Sequence, residues 1–186
     1  GVEFGDVLET IEINAFCGCI ALRNIKMPSV RTIGVGAFTC CYELSDVEWG
    51  EDLETIQRGA FDSCRKLKRI VLPLKDNMIE DDAFLNCPNF ATVDLVGGIH
   101  STVGSLHMES WRNEMMGEIN RINQVLPNIY HSQKTAEIQQ WMSSVIRRLN
   151  HYKTEHINLL KEATTLLELW PKWDGLSHPL LSNVIT

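Results

Sequence analysis

Nowhere in the 186 residues does an apolar run approach the roughly 18 residues that a membrane-spanning helix needs. Runs of Lys and Arg are missing too, and the chain carries 24 acids against 17 basic residues for a formal charge of −7. No Asn-x-Ser/Thr acceptor occurs, and the start lacks the charged-then-apolar order of a secretory leader. These absences argue against a membrane span and a glycosylated product, and they favour the cytoplasm. Because the chain opens at Gly1 without a methionine and already inside a repeat, a leader ahead of it would instead make it an extracellular domain of a longer protein. Also lacking are Gly-x-Ser-x-Gly, a phosphate loop, a dinucleotide fingerprint and paired His around Glu, so no hydrolase, nucleotide, metal or other cofactor chemistry is announced.

Charge is unevenly placed. Residues 1–96 hold 16 acids against 9 Lys and Arg, whereas residues 97–186 hold 8 of each. An acidic surface repels phosphate backbones, which sets nucleic acid aside as a partner. With 44% hydrophobic residues the chain has enough apolar material for a packed core, and disorder is not expected as its main state.

What the sequence does have is a repeat. Ala-Phe recurs at Ala15-Phe16, Ala37-Phe38, Ala60-Phe61 and Ala83-Phe84, in steps of 22, 23 and 23, and Cys19, Cys41, Cys64 and Cys87 keep the same steps. Five residues before each Phe stands Ile11, Ile33, Ile56 or Ile79; six after it Leu22, Leu44, Leu67 or Phe90; nine after it Ile25, Val47, Ile70 or Val93. A fixed period of this length predicts stacked turns that bury one another's apolar faces, each column becoming a rib of core. The segment around Ile70 and Val71 reads as one short parallel strand per turn, stopped at Pro28 and Pro73.

These columns resemble the BspA-like class of leucine-rich repeats, in which an Ile is followed by Ala-Phe, a Cys, a Leu and a strand ended by Pro. The resemblance covers about residues 2–96. It implies an α+β protein whose first part is a short right-handed solenoid of four turns, and a module for adhesion or interaction without catalysis. The fourth repeat departs from the pattern, with Asp76 where the others have Leu8, Val30 and Leu53, Pro88 after its cysteine, and Val96 for the terminal Pro. It reads as a degenerate closing turn.

Six cysteines invite a metal or disulfide reading. Four of them share one repeat column, which packing as small buried hydrophobes explains. Cys17 and Cys40 lie outside the column, and the two-plus-two spacing of a structural zinc site is absent. A disulfide between neighbouring turns is left open, since stacked strands lie about 4.8 Å apart.

In a solenoid, side chains projecting outward from the strands form the usual contact surface. Here that face offers Arg23, Asn24 and Lys26, then Ser45, Asp46 and Glu48, then Lys68, Arg69 and Val71, then Ala91, Thr92 and Asp94. The charged members, Arg23, Lys26, Asp46, Glu48, Lys68, Arg69 and Asp94, fall in bands of alternating sign. They are a candidate protein-binding face; the plainer reading is that neighbouring strands simply pair opposite charges.

After residue 96 the period ends. Residues 97–105, opened by Gly97 and Gly98, read as a hinge; residues 106–170 as a helical hairpin; residues 171–186 as an irregular tail. Met108, Trp111, Met115, Ile119, Ile122 and Leu126 follow a helical rhythm until Pro127. Ile138, Trp141, Val145, Leu149, Tyr152, His156, Leu159, Ala163, Leu166 and Trp170 do so until Pro171. The second helix would be about 57 Å long, so its last turns outrun the first helix. Leu166, Leu169 and Trp170 are therefore a candidate helix interface, through docking on the repeats or through a homodimer; alternatively the hairpin only caps the open end of the solenoid. The section is also similar to the tail following such repeats in leucine-rich repeat proteins of algae, diatoms above all.

The reading that follows is a protein-protein interaction scaffold with its ligand on the strand face. An extracellular adhesin and a coiled-coil assembly protein are the alternatives.

Overall fold

Two left-handed residues in each repeat bend the chain into a coil. One stands two places before each Phe, as Asn14, Gly36, Gly59 and Asp82, with φ of 57, 63, 62 and 58°. The other stands two places after it, as Gly18, Cys40, Ser63 and Asn86, with φ of 72, 59, 62 and 54°. Gly, Asn and Asp adopt this conformation readily. Cys40 and Ser63 do not, and the next turn holds them there: their N–H groups donate to the carbonyls of Asp62 and Leu85, both at 2.9 Å.

The computed structural model describes residues 1–169, and the chain divides into two compact units, Gly1–Leu149 and Asn150–Thr186. The first unit holds eight strands: β1 (Val2–Glu3), β2 (Thr10–Ile11), β3 (Asn24–Met27), β4 (Thr32–Ile33), β5 (Asp46–Trp49), β6 (Thr55–Ile56), β7 (Arg69–Leu72) and β8 (Thr92–Leu95). They form a parallel five-stranded sheet, ordered β1-β3-β5-β7-β8, and a parallel three-stranded one, ordered β2-β4-β6. The expectation of one strand per turn is thus corrected to two over the first three turns. The second ladder is made of recurring Thr-Ile pairs, two residues each, too short to display alternation. On the fourth turn it shrinks to one bridge, Ile56 to Ile79, in keeping with a degenerate closing repeat.

Register aligns the columns, pairing Ile25 with Val47, Val47 with Ile70 and Ile70 with Val93. Phe16, Phe38 and Phe61 stack at 5.2 Å between ring centres, and Phe61 meets Phe84 at 5.7 Å. Full burial of each such ring contributes about 2–3 kcal/mol. The cysteine column adds a polar ladder: the thiols of Cys41, Cys64 and Cys87 donate to the carbonyls of Phe16, Phe38 and Phe61 at 3.0–3.1 Å, one turn back. Burial pushes the Cys41 thiol up to about 11, and a hydrogen bond with Cys87, with burial second, raises that of Cys64 as well. Cys19 corrects the expectation of a uniformly buried column. It is exposed: within residues 1–169 the chain ahead of the first turn supplies β1 and Phe4, which lie against β3 and Phe16, and its second ladder begins only at β2.

The far end of this unit is closed by helices α1 (Gly98–Gly104), α2 (Glu109–Val125) and the first turns of α3 (Lys134–Leu169), with a 3-10 turn at Leu126–Asn128. The segment read as a hinge therefore contains α1, which buries Val103. Helices α2 and α3 run antiparallel: the Trp141 indole N–H donates to the Glu118 carbonyl at 3.0 Å, and Arg148 pairs with Glu114 and Glu118. Met115, Ile119 and Ile122 on α2 and Ile138, Trp141 and Val145 on α3 are all buried.

Three side chains finish hydrogen bonds that a fifth turn would have made, and a lysine closes two further carbonyls. In the inner turns the N–H groups of Phe16, Phe38 and Phe61 donate to Ala37, Ala60 and Ala83 one turn on. The Phe84 N–H donates instead to the Thr135 hydroxyl at 3.1 Å. Asn123 uses its amide oxygen and nitrogen on the N–H and C=O of Val93, at the open edge of β8. Gln139 donates to the Ile79 carbonyl at 2.8 Å. The Lys134 ammonium, almost wholly buried, donates to the carbonyls of Pro88 and Phe90 at 2.9 and 2.5 Å, and burial lowers its pKa. Of the two expected roles for the hairpin, its part within Gly1–Leu149 serves as a cap.

In the second unit, residues 150–169 continue α3. Tyr152 is buried, whereas Leu159 and Leu166 are exposed. The side chain of Leu169, all of Trp170 and the tail 171–186 lie outside the described residues.

Candidate protein-binding face

Strand alternation decides what the five-stranded sheet presents. Ile25 and Met27, Val47 and Trp49, Ile70 and Leu72, and Val93 and Leu95 point into the core, so Asn24 and Lys26, Asp46 and Glu48, Arg69 and Val71, and Thr92 and Asp94 point out. Arg23, Ser45, Lys68 and Ala91 directly precede the strands and carry the row one residue further: the N–H of Ser45 donates to Arg23, that of Lys68 to Ser45 and that of Ala91 to Lys68.

The alternating bands meet as ion pairs. Lys26 lies directly across from Glu48 and reaches it at 3.2 Å; Arg69 reaches Glu48 at 3.0 Å and Asp94 at 2.5 Å. The row Lys26, Glu48, Arg69 and Asp94 thus runs unbroken across four strands. Asp46 stands apart, accepting the Ser45 hydroxyl at 2.6 Å, and Arg23 and Lys68 remain exposed. The Arg69 hydrogen bond, with Lys26 in support, holds the Glu48 carboxyl below the usual carboxylate range. Asp94 first and Glu48 second keep the Arg69 guanidinium firmly protonated. All four side chains are a third or more exposed, so each pair contributes no more than about 1 kcal/mol. The row fixes where its side chains stand more than it stabilises the fold.

Beside its end lies a cleft of about 480 Å³, lined by Glu48, Arg69, Val71, Asp94, Leu95 and the backbone turn Gly97, Gly98, Ile99 and His100. Gly97 and Gly98, with φ of 73 and 77°, swing the chain off the last strand into α1 and so create the step that forms the cleft. Charge patterning found the row. Ile99 and His100 carry no signal in the sequence, because their place depends on how α1 folds. Among the described residues no three His, Cys, Asp or Glu side chains converge as metal ligands, and no helix is long and apolar enough to cross a membrane.

The model of the BspA type leucine rich repeat region matches residues 1–112, with six copies counted. Among solved structures, a leucine rich cell surface protein from Faecalibacterium prausnitzii A2-165 is 26% identical with a TM-score of 0.36, over 50% of this chain and 31% of that one. The T. pallidum leucine rich repeat protein is 26% identical with a TM-score of 0.37, over 50% of this chain and 57% of that one. The chain therefore covers less than two thirds of either. No curated protein matches.

Proposed function

Because the chain belongs to the BspA-type leucine-rich repeat family, a fold that commonly mediates protein-protein interaction, we propose that it is a non-catalytic scaffold module holding a protein ligand on its strand face. The observation that carries this is the row Lys26, Glu48, Arg69 and Asp94, each held by its neighbour on a parallel sheet and ending at the cleft beside α1. Side chains already fixed in place lose little conformational entropy when a ligand arrives. Alternating charge gives such a ligand its orientation and register more than its affinity. Six unpaired thiols suit the cytoplasm, where cysteines stay reduced; an extracellular setting would leave the face unchanged.

The test is affinity capture followed by identification of the bound proteins. A variant carrying Asp46→Asn, Glu48→Gln, Lys68→Met and Arg69→Met should lose the proteins that the unaltered chain retains. A control with Arg31→Gln and Glu54→Gln, an ion pair outside the five-stranded sheet, should keep them. Equal capture by all three chains would remove the strand face as the binding site.

A further inference from the structure

The apolar stripe of α3 begins as a helix-helix seam. Ile138, Trp141, Val145 and Leu149 are buried, in the stretch where α2 bonds to α3. The same three-four spacing runs on through Tyr152, His156, Leu159, Ala163 and Leu166. Helix α2 has 17 residues against 36 in α3, so half of the longer stripe has no counterpart in the shorter. Within Asn150–Thr186 its later positions face solvent: Leu159 is 49% exposed and Leu166 67%, with Leu160 at 54% and Leu167 at 68% beside them. At 100° per residue these four leucines and Ala163 lie within about 120° of arc, one continuous face.

We propose that this face is an interface between two copies of the chain, paired in parallel along α3. From Leu149 onward the steps alternate three and four, which is a period of 3.5. That period stays on one side only when the helix winds around a second helix of the same period. The second copy carries that helix by construction, and the stripe it would cover belongs to the same helix whose earlier stripe positions Ile138, Trp141 and Val145 are buried. The flanking residues choose the direction. Glu155 and Glu162 line one edge of the stripe, while Lys153, Leu160 and Leu167 line the other. An antiparallel pair would bring the glutamates of both copies onto a common edge. A parallel pair sets Glu155 beside Leu160 of the second copy and Glu162 beside its Leu167, avoiding that repulsion.

Sedimentation velocity of the full chain across a concentration series tests this. A dimer dissociating in the micromolar range is expected for so short a seam. Placing charge on it with Leu159→Glu and Leu166→Glu should raise the dissociation constant roughly 100-fold or more, with helix content and denaturation midpoint unchanged when both chains are compared at concentrations low enough to be monomeric, where both residues are exposed. For direction, a Glu155→Lys, Glu162→Lys chain mixed with the unaltered one should form mixed and like pairs without preference. A monomer at every concentration up to about 1 mM, or a dimer indifferent to the leucine changes, overturns the interface. A strong preference for mixed pairs overturns the parallel arrangement.

Discussion

The first and fourth turns of the solenoid are built on the same columns, yet within residues 1–169 their side chains are unequally covered. Phe84 and Cys87 are buried, while Phe16 is half-buried and Cys19 exposed. The difference lies beyond the turn. On the far side of the fourth turn, Asn123, Thr135 and Gln139 take up the backbone groups that a further repeat would have bonded, and Lys134 bonds the Phe90 carbonyl beside them. On the near side of the first turn no such side chains are present among the described residues. Within the first turn Ile11 and Ile25 are buried while Phe16 and Cys19 are not fully covered, so residue type alone does not decide which members of a column are core.

The aromatic ladder gives this comparison its largest test. Phe61→Ala removes a ring stacked on both faces, against Phe38 and Phe84, and should cost about 3–5 kcal/mol in urea unfolding. Phe16→Ala, at a half-buried ring, should cost less than half of that. Equal losses would mean that both turns are equally closed. The glycines make a second, sharper pair. A Cβ on Gly50, after β5, would come within 1.8 Å of the Pro28 carbonyl oxygen, whereas one on Gly5, at the matching place after β1, would meet nothing within 4 Å. Gly50→Ala should lower stability by about 1–3 kcal/mol, and Gly5→Ala should change it by less than about 0.5 kcal/mol; thermal unfolding of the two variants separates them.

The smallest effect depends on pH. The Cys41 thiol has its folded pKa raised by burial from 9.0 to about 11. Its contribution is complete below pH 9.0 and is lost as pH rises toward 11, because the unfolded chain releases that proton first. Roughly 1–2 kcal/mol should disappear between pH 8 and pH 10, read from denaturation midpoints. Cys41→Ala should reduce that slope by this amount, the raised Cys64 thiol continuing to contribute to it. A slope that ignores Cys41→Ala would contradict the burial of that thiol.

What the sequence made legible was whatever recurs. Four Ala-Phe pairs, four cysteines and three aliphatic columns announced the stacked turns, and the alternating bands from Lys26 to Asp94 located the row of ion pairs. The second ladder was harder to see, since Thr10-Ile11, Thr32-Ile33 and Thr55-Ile56 are each two residues long; their recurrence was the available signal. Cys19 was misplaced because a column says nothing of what covers each of its members. The capping residues were out of reach for a different reason. Asn123 and Thr135 occur once each in their roles, and a single polar residue acquires meaning only when folding sets it against Val93 or Phe84. The cleft beside α1 likewise depends on the path through Gly97 and Gly98, which composition alone marked as a break.

The rigid strand face rests on the solenoid being closed by its helices, and amide hydrogen exchange reads this residue by residue. In the unaltered protein the N–H groups of Phe38, Phe61 and Phe84 should exchange at one slow rate, with that of Phe16 faster. Thr135→Val removes the acceptor of the Phe84 N–H and should speed that amide roughly 10-fold or more while leaving Phe38 and Phe61 as they were. A Phe84 amide that already exchanges as fast as Phe16, or one that ignores Thr135→Val, would contradict the account.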